Sequence, residues 1–203
     1  MTAIRSILMT FTAAIALAGC QSEPQKAAQS GAVVTSGKAD IGGPFTLVNQ
    51  DGITVTDQDI LGKPQLIYFG FSYCPDVCPL ALQNMGAALY KVDPKAEVYT
   101  PIFISVDPER DTPESLKVYI SANGFPENLM GLTGTLDQVE TAKSAYKIFS
   151  QKVYDDESAA DYLVDHASLI FLMDPQGEFV DVFSHTTAVN ELIERLSTYQ
   201  KSL

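Results

Sequence analysis

Two cysteines four residues apart, Cys74 and Cys78, stand in the segment Tyr73-Cys74-Pro75-Asp76-Val77-Cys78-Pro79. A continuous apolar run, Leu66 to Phe71, ends just before them, and the helical spacing of Leu82, Met85 and Leu89 begins just after. The pair therefore sits where a buried strand gives way to a helix, the place where α/β folds put ligands. A thiol at a helix N-terminus faces free backbone N–H groups and the positive end of the helix dipole, which favour the thiolate. Residues i and i+4 share one helix face, so both sulfurs can address one small object. That object is either the other sulfur or a soft metal ion.

Each option asks for different company. A structural disulfide suits an exported protein, but a bridge between residues so close in sequence closes a small loop and brings a modest entropic gain. Thiol–disulfide oxidoreductases use Cys-x-x-Cys behind an aromatic residue; Tyr73 is in place, yet one residue is inserted between the cysteines. Peroxidases of related fold carry a threonine three residues before the reactive cysteine, where this chain has Phe71. Structural zinc takes four ligands. Cu(I) is satisfied by two thiolates and an imidazole, because soft ligands select it. Of the two histidines, His166 immediately precedes the apolar run Leu169 to Met173, with Asp165 available to orient or tune its ring. In a thioredoxin-like sheet that connection lies beside the strand–helix switch. Thioredoxins put a proline there, and this chain has none between Asp155 and Met173. His185, after the last strand, reads as an ordinary surface histidine.

The elements that must position these groups are legible from periodicity. Phe45–Val48 and Ile53–Thr56 flank Asn49-Gln50-Asp51-Gly52 as a hairpin. Leu66–Phe71 and the run within Val98–Val106 read as strands buried on both faces. Helices are expected at Pro79–Lys91, after Thr112-Pro113-Glu114 with Thr as cap, over Leu136–Phe149 with Lys143 as a polar break, and over Val189–Tyr199. Leu169–Met173 turns through Asp174-Pro175-Gln176-Gly177 into Glu178–Phe183. The order hairpin, β, α, β, α, α, β-hairpin, α argues for a mixed sheet flanked by helices. It resembles the α/β thioredoxin-like fold with an added N-terminal β-hairpin. The turn after the second strand, Asp107-Pro108, and the acids Asp111 and Glu114 are explained by turn and capping chemistry, and Arg110 by pairing with a nearby acid; a role in holding the site or docking a partner stays open. Asp155, Asp156, Glu157 and Asp161 read as a solvated acidic face.

The chain of 203 residues is 46% hydrophobic and 19% charged, and its net charge of −12 excludes a nucleic-acid binder, which needs a basic face. Arg5 followed by the apolar stretch Ile7–Ala18 is the pattern of a signal peptide over residues 1–19, too short to span a bilayer. It ends in Leu17-Ala18-Gly19-Cys20, which resembles the bacterial lipobox. Cys20 is thereby expected to carry lipid, anchoring an exported protein on the periplasmic side of a bacterial membrane. Residues 20–40 are small and polar and read as a tether, leaving residues 41–203 as one domain.

Residues 66–80, LIYFGFSYCPDVCPL, together with Ser105-Val106-Asp107-Pro108-Glu109-Arg110-Asp111-Thr112-Pro113-Glu114, Gly131-Leu132-Thr133-Gly134 and Tyr162-Leu163-Val164-Asp165-His166, resemble the Sco/SenC family over essentially the whole domain. Ala167 departs from the serine that often follows the histidine there. The resemblance implies a thioredoxin-like copper metallochaperone, with Cys74, Cys78 and His166 as ligands for Cu(I) and Cu(II). Its implied role is delivery to the binuclear copper site of cytochrome c oxidase subunit II, with a copper donor and a thiol reductant as further partners. The alternative is a thiol–disulfide reductase in which Cys74 attacks and Cys78 resolves, keeping the acceptor's cysteines reduced. The imidazole separates the two, since a reductase has little need of it.

Overall fold

A computed structural model describes residues 39–154 and 161–203. The expected leader, Cys20, most of the tether and residues 155–157 of the acidic loop lie outside the described residues. Strands β1 (Thr46–Asn49) and β2 (Thr54–Thr56) form the expected hairpin, in register Leu47 opposite Val55. The central strands β3 (Gln65–Gly70) and β4 (Thr100–Ser105) run parallel, Tyr68 beside Phe103, and every β3 residue is buried. That is why both read as unbroken apolar runs: a strand covered on both faces has no polar side.

Between them, helix α1 (Val77–Val92) buries Cys78, Leu82, Met85 and Leu89. Helix α2 (Pro113–Tyr119) starts as expected, with the Thr112 hydroxyl accepting from the Ser115 N–H at 3.3 Å. Strand β5 (Met130–Thr133) follows, parallel to β4 and antiparallel to β1. Helix α3 (Leu136–Ala145), the hairpin β6 (Ser150–Val153) and β7 (Leu163–His166), the hairpin β8 (Leu169–Met173) and β9 (Phe179–Ser184), and helix α4 (Val189–Gln200) complete the chain. The seven-stranded mixed sheet has the order β2-β1-β5-β4-β3-β8-β9, and β6 and β7 pair separately. This is the thioredoxin-like arrangement with an added N-terminal hairpin. Among the described residues no helix is long and apolar enough to cross a membrane.

Three expectations are corrected. The helix expected to reach Phe149 ends at Ala145, because Lys147 takes a left-handed φ of 57°. That conformation stops a helix, normally at glycine, so a lysine there gave no warning. Phe149, placed on the buried face by its spacing, is 67% exposed, and Leu136 is 58% exposed. The strand β5 and the β6–β7 hairpin, absent from the predicted order, each have four residues, too few for a periodic signal.

The packing around β3 sets the floor of the candidate site. Successive residues of a strand project to opposite faces. Tyr68 accordingly meets Phe103 and the Cys78 sulfur, while Phe69 meets Tyr146 and Phe171. Gly70, on the same face as Tyr68, leaves the room the sulfur occupies: a Cβ there would lie 2.9 Å from Cys78 Sγ, from Phe103 and from Tyr68.

Candidate metal centre

Cys74 lies in the loop between β3 and α1, half-buried, and Cys78 in the first turn of α1, with no exposure. Both are free thiols. The Cys78 backbone N–H donates to Cys74 Sγ at 3.3 Å. The Cys78 thiol, with the N–H groups of Cys78, Asp76 and Val77, holds the Cys74 thiol down to a pKa of about 6, against its partial burial. The amide share is the thiolate stabilisation expected at a strand-to-helix switch, and the larger share comes from the neighbouring thiol. The negative charge is paid for next door: the hydrogen bond to Cys74, then burial, push the Cys78 thiol well above the ordinary range.

His166, at the end of β7, brings Nε2 to 3.5 Å from Cys78 Sγ. Its Nδ1 faces the Ala167 carbonyl at 3.2 Å, so the proton on Nδ1 donates there and Nε2 presents its lone pair to the sulfur. The ring stands edge-on to Phe71 and Tyr68, and burial lowers its pKa below the usual histidine value. A neutral imidazole with its lone pair directed inward is the ligating form. Asp165, expected to orient the ring, is exposed, and Nδ1 is held by the Ala167 carbonyl instead; the carboxylate acts on the ring only through its charge. His185 pairs through its backbone N–H with the Ser168 carbonyl at 3.1 Å and opposes the charging of His166.

The structure thus places Cys78 in contact with Cys74 on one hand and with His166 on the other. Among the described residues, no three His, Cys, Asp or Glu side chains stand as a finished metal cage. Cys78 and His166 are already close, and closing the set asks Cys74 Sγ to turn from the helix amides that stabilise it. Two thiolates and one imidazole in a low-coordinate arrangement suit a soft monovalent cation.

What holds the cysteine loop against the histidine strand is the segment read above from turn and capping chemistry, with its site-holding role left open. Asp111 is completely buried. It accepts from the Ser72 N–H at 3.1 Å, from the Ser72 hydroxyl, and from the Ser105 hydroxyl at 2.6 Å. Burial raises its pKa. Asp107, also buried, accepts from the Tyr162 hydroxyl at 2.8 Å and from Arg110 Nε at 2.5 Å. Arg110 Nη1 donates to the Tyr162 carbonyl at 2.9 Å, and the guanidinium lies 3.8 Å from the Tyr162 ring centre and 4.8 Å from that of Tyr73. One short link after β4 therefore fastens both halves of the site, at Ser72 and at Tyr162. The available signal was a pair of aspartates beside an arginine in a chain with few cations. Only the fold reveals that both acids point inward.

The SCO1/SenC family model matches residues 33–201. Mitochondrial protein SCO1 of Saccharomyces cerevisiae is 40% identical over 168 residues, covering 80% of this chain and 56% of its own length. Protein SenC of Rhodobacter capsulatus is 35% identical over 202 residues, covering 100% of this chain and 89% of its own. A solved structure, Bradyrhizobium japonicum ScoI with copper bound, matches with a TM-score of 0.70 and 42% identity, covering 78% of this chain and 99% of that one. The chain spans between 50% and 56% of the length of several curated mitochondrial relatives.

Proposed function

The chain belongs to the SCO1/SenC family, and on that footing we propose that it binds copper through Cys74, Cys78 and His166 and delivers it during cytochrome c oxidase assembly. The proposed acceptor is the binuclear copper site of oxidase subunit II. The observation that carries the reading is the inward-facing lone pair of His166 Nε2, 3.5 Å from Cys78 Sγ. It is supported by the copper-bound relative of 42% identity. Copper is the cargo. Cys78 and His166 form the buried half of the site, and Cys74, half-exposed, is the ligand an incoming cysteine of the acceptor displaces first. An open, three-ligand site permits that exchange, because the new thiolate bonds to copper before an old one leaves. The same site is proposed to take Cu(II) as well as Cu(I). Lipidation at Cys20 and a tether to residue 40 would hold the domain at the periplasmic face of a bacterial inner or outer membrane.

The test is an anaerobic Cu(I) competition titration of the reduced protein beside Cys74→Ser, Cys78→Ser and His166→Ala. One tightly held copper, weakened by each substitution, is expected. Binding indifferent to His166 would remove the third ligand and bring the Cys74–Cys78 redox couple forward as a thiol–disulfide reductase.

A further inference from the structure

Beside His166 the site holds a hydroxyl that packing alone does not require. Tyr68 is fully buried on β3, fixed between Phe103 of β4 and Ile170 of β8, and its hydroxyl donates to Cys78 Sγ at 3.5 Å. A phenylalanine would fill the same space without the cost of burying a hydroxyl. The Ser168 hydroxyl lies beside the Tyr68 oxygen, and the Tyr68 O–H points to the sulfur as donor. Cys78 Sγ thus meets both the Tyr68 hydroxyl and His166 Nε2, each at 3.5 Å, and the two rings meet edge-on at 6.3 Å.

We infer that Tyr68 is a positioning residue whose hydroxyl, by donating to Cys78 Sγ, stabilises the unbridged cysteine and biases bound copper toward Cu(I). This rests on the copper reading for its second half only. A hydrogen bond to a thiolate withdraws charge from the sulfur, and hydrogen bonding around a cysteine ligand is a recognised control on copper potential. In the metal-free protein the same bond favours the dithiol, in which the sulfur accepts freely. When dithiol is oxidised by cyclic dithiothreitol, the Cys74–Cys78 S–S bond forms as the reagent's ring S–S bond opens. Two electrons and two protons pass to the reagent.

The experiment compares wild type, Tyr68→Phe and Tyr119→Phe. Tyr119 is a partly buried tyrosine packed on Phe103 whose buried hydroxyl has no hydrogen-bond partner among the described residues, so removing it controls for the loss of a buried oxygen. In dithiothreitol redox buffers, Tyr68→Phe is expected to shift the metal-free equilibrium about fivefold toward the disulfide, the factor for one net hydrogen bond. With Cu(II) bound, its thiolate charge-transfer band should move to longer wavelength and its copper should become harder to reduce. Tyr119→Phe should match wild type in all three. Tyr68→Phe values equal to wild type, or equal shifts in both variants, overturn the inference. If wild type takes up no copper, the copper reading fails and the dithiothreitol equilibrium still decides the role of Tyr68.

Discussion

Binding of one Cu(I) by Cys74, Cys78 and His166 should release about one proton near neutral pH rather than two. A thiol must lose its proton to ligate, so the count depends on which thiols are protonated beforehand. With its pKa held at about 6, Cys74 is about nine-tenths thiolate at pH 7 and gives up about a tenth of a proton. Cys78 is pushed up by its neighbour and by burial and gives up a whole one. His166, lowered by burial, is already neutral and gives up almost none. The apparent Cu(I) affinity should therefore climb about tenfold per pH unit from pH 7 to 8, and the slope should approach two decades per unit below pH 6, where Cys74 also protonates. Two measurements check this. Anaerobic Cu(I) competition at a series of pH values gives the slope, and thiolate absorbance of the metal-free protein gives the ionisation of Cys74 directly. In Cys78→Ser, Cys74 is the one thiol of the pair left to ionise, and because its main stabilising donor is changed, its midpoint should move up. A slope of two between pH 7 and 8, or a Cys74 midpoint above pH 8 in the wild type, would refute the assignment of the thiolate to the helix terminus.

Other substitutions probe the frame. Asp111→Ala strands the Ser72 N–H and the Ser105 hydroxyl, and chemical denaturation should record a loss of roughly 2–4 kcal/mol. Asp111→Asn keeps an acceptor and sheds the charge that burial disfavours, so it should lose less. Because burial raises the Asp111 pKa in the folded state, wild type should lose stability relative to Asp111→Asn as pH rises from about 3.8 through that raised value, which paired denaturation curves would reveal. Arg110→Lys cannot serve Asp107, the Tyr162 carbonyl and two aromatic rings at once; faster amide exchange across β6 and β7 is expected, with about 1–2 kcal/mol lost. Gly70→Ala sets a methyl 2.9 Å from Cys78 Sγ, so copper affinity should fall more than in Gly131→Ala, where the nearest contact is a yielding Ile120 methyl at 3.2 Å. Equal losses in the two variants would count against the tight fit around the sulfur.

The residue types and local spacing already carried much of this protein. Cys74 and Cys78 at a strand–helix junction, and His166 ahead of an apolar strand, were visible because helix termini and buried strands leave short-range signatures. The runs at Leu66–Phe71 and Leu169–Met173 were legible for the same reason, since strands covered on both faces need no alternation. Local pattern failed where the deciding contact was distant. Lys147 ends α3 with a conformation that its side chain does not advertise, and the short strands β5, β6 and β7 exist through their partners. Asp107 and Asp111 satisfied turn and capping rules so well that nothing in the sequence demanded burial. Only the tertiary structure directs them inward, where Ser72 and Tyr162 arrive from parts of the chain 39 and 55 residues away. The sequence thus determined which groups can do the chemistry. The fold decided their charge states and the tautomer of His166, because these depend on burial and on hydrogen bonds between segments that meet only when the chain has folded.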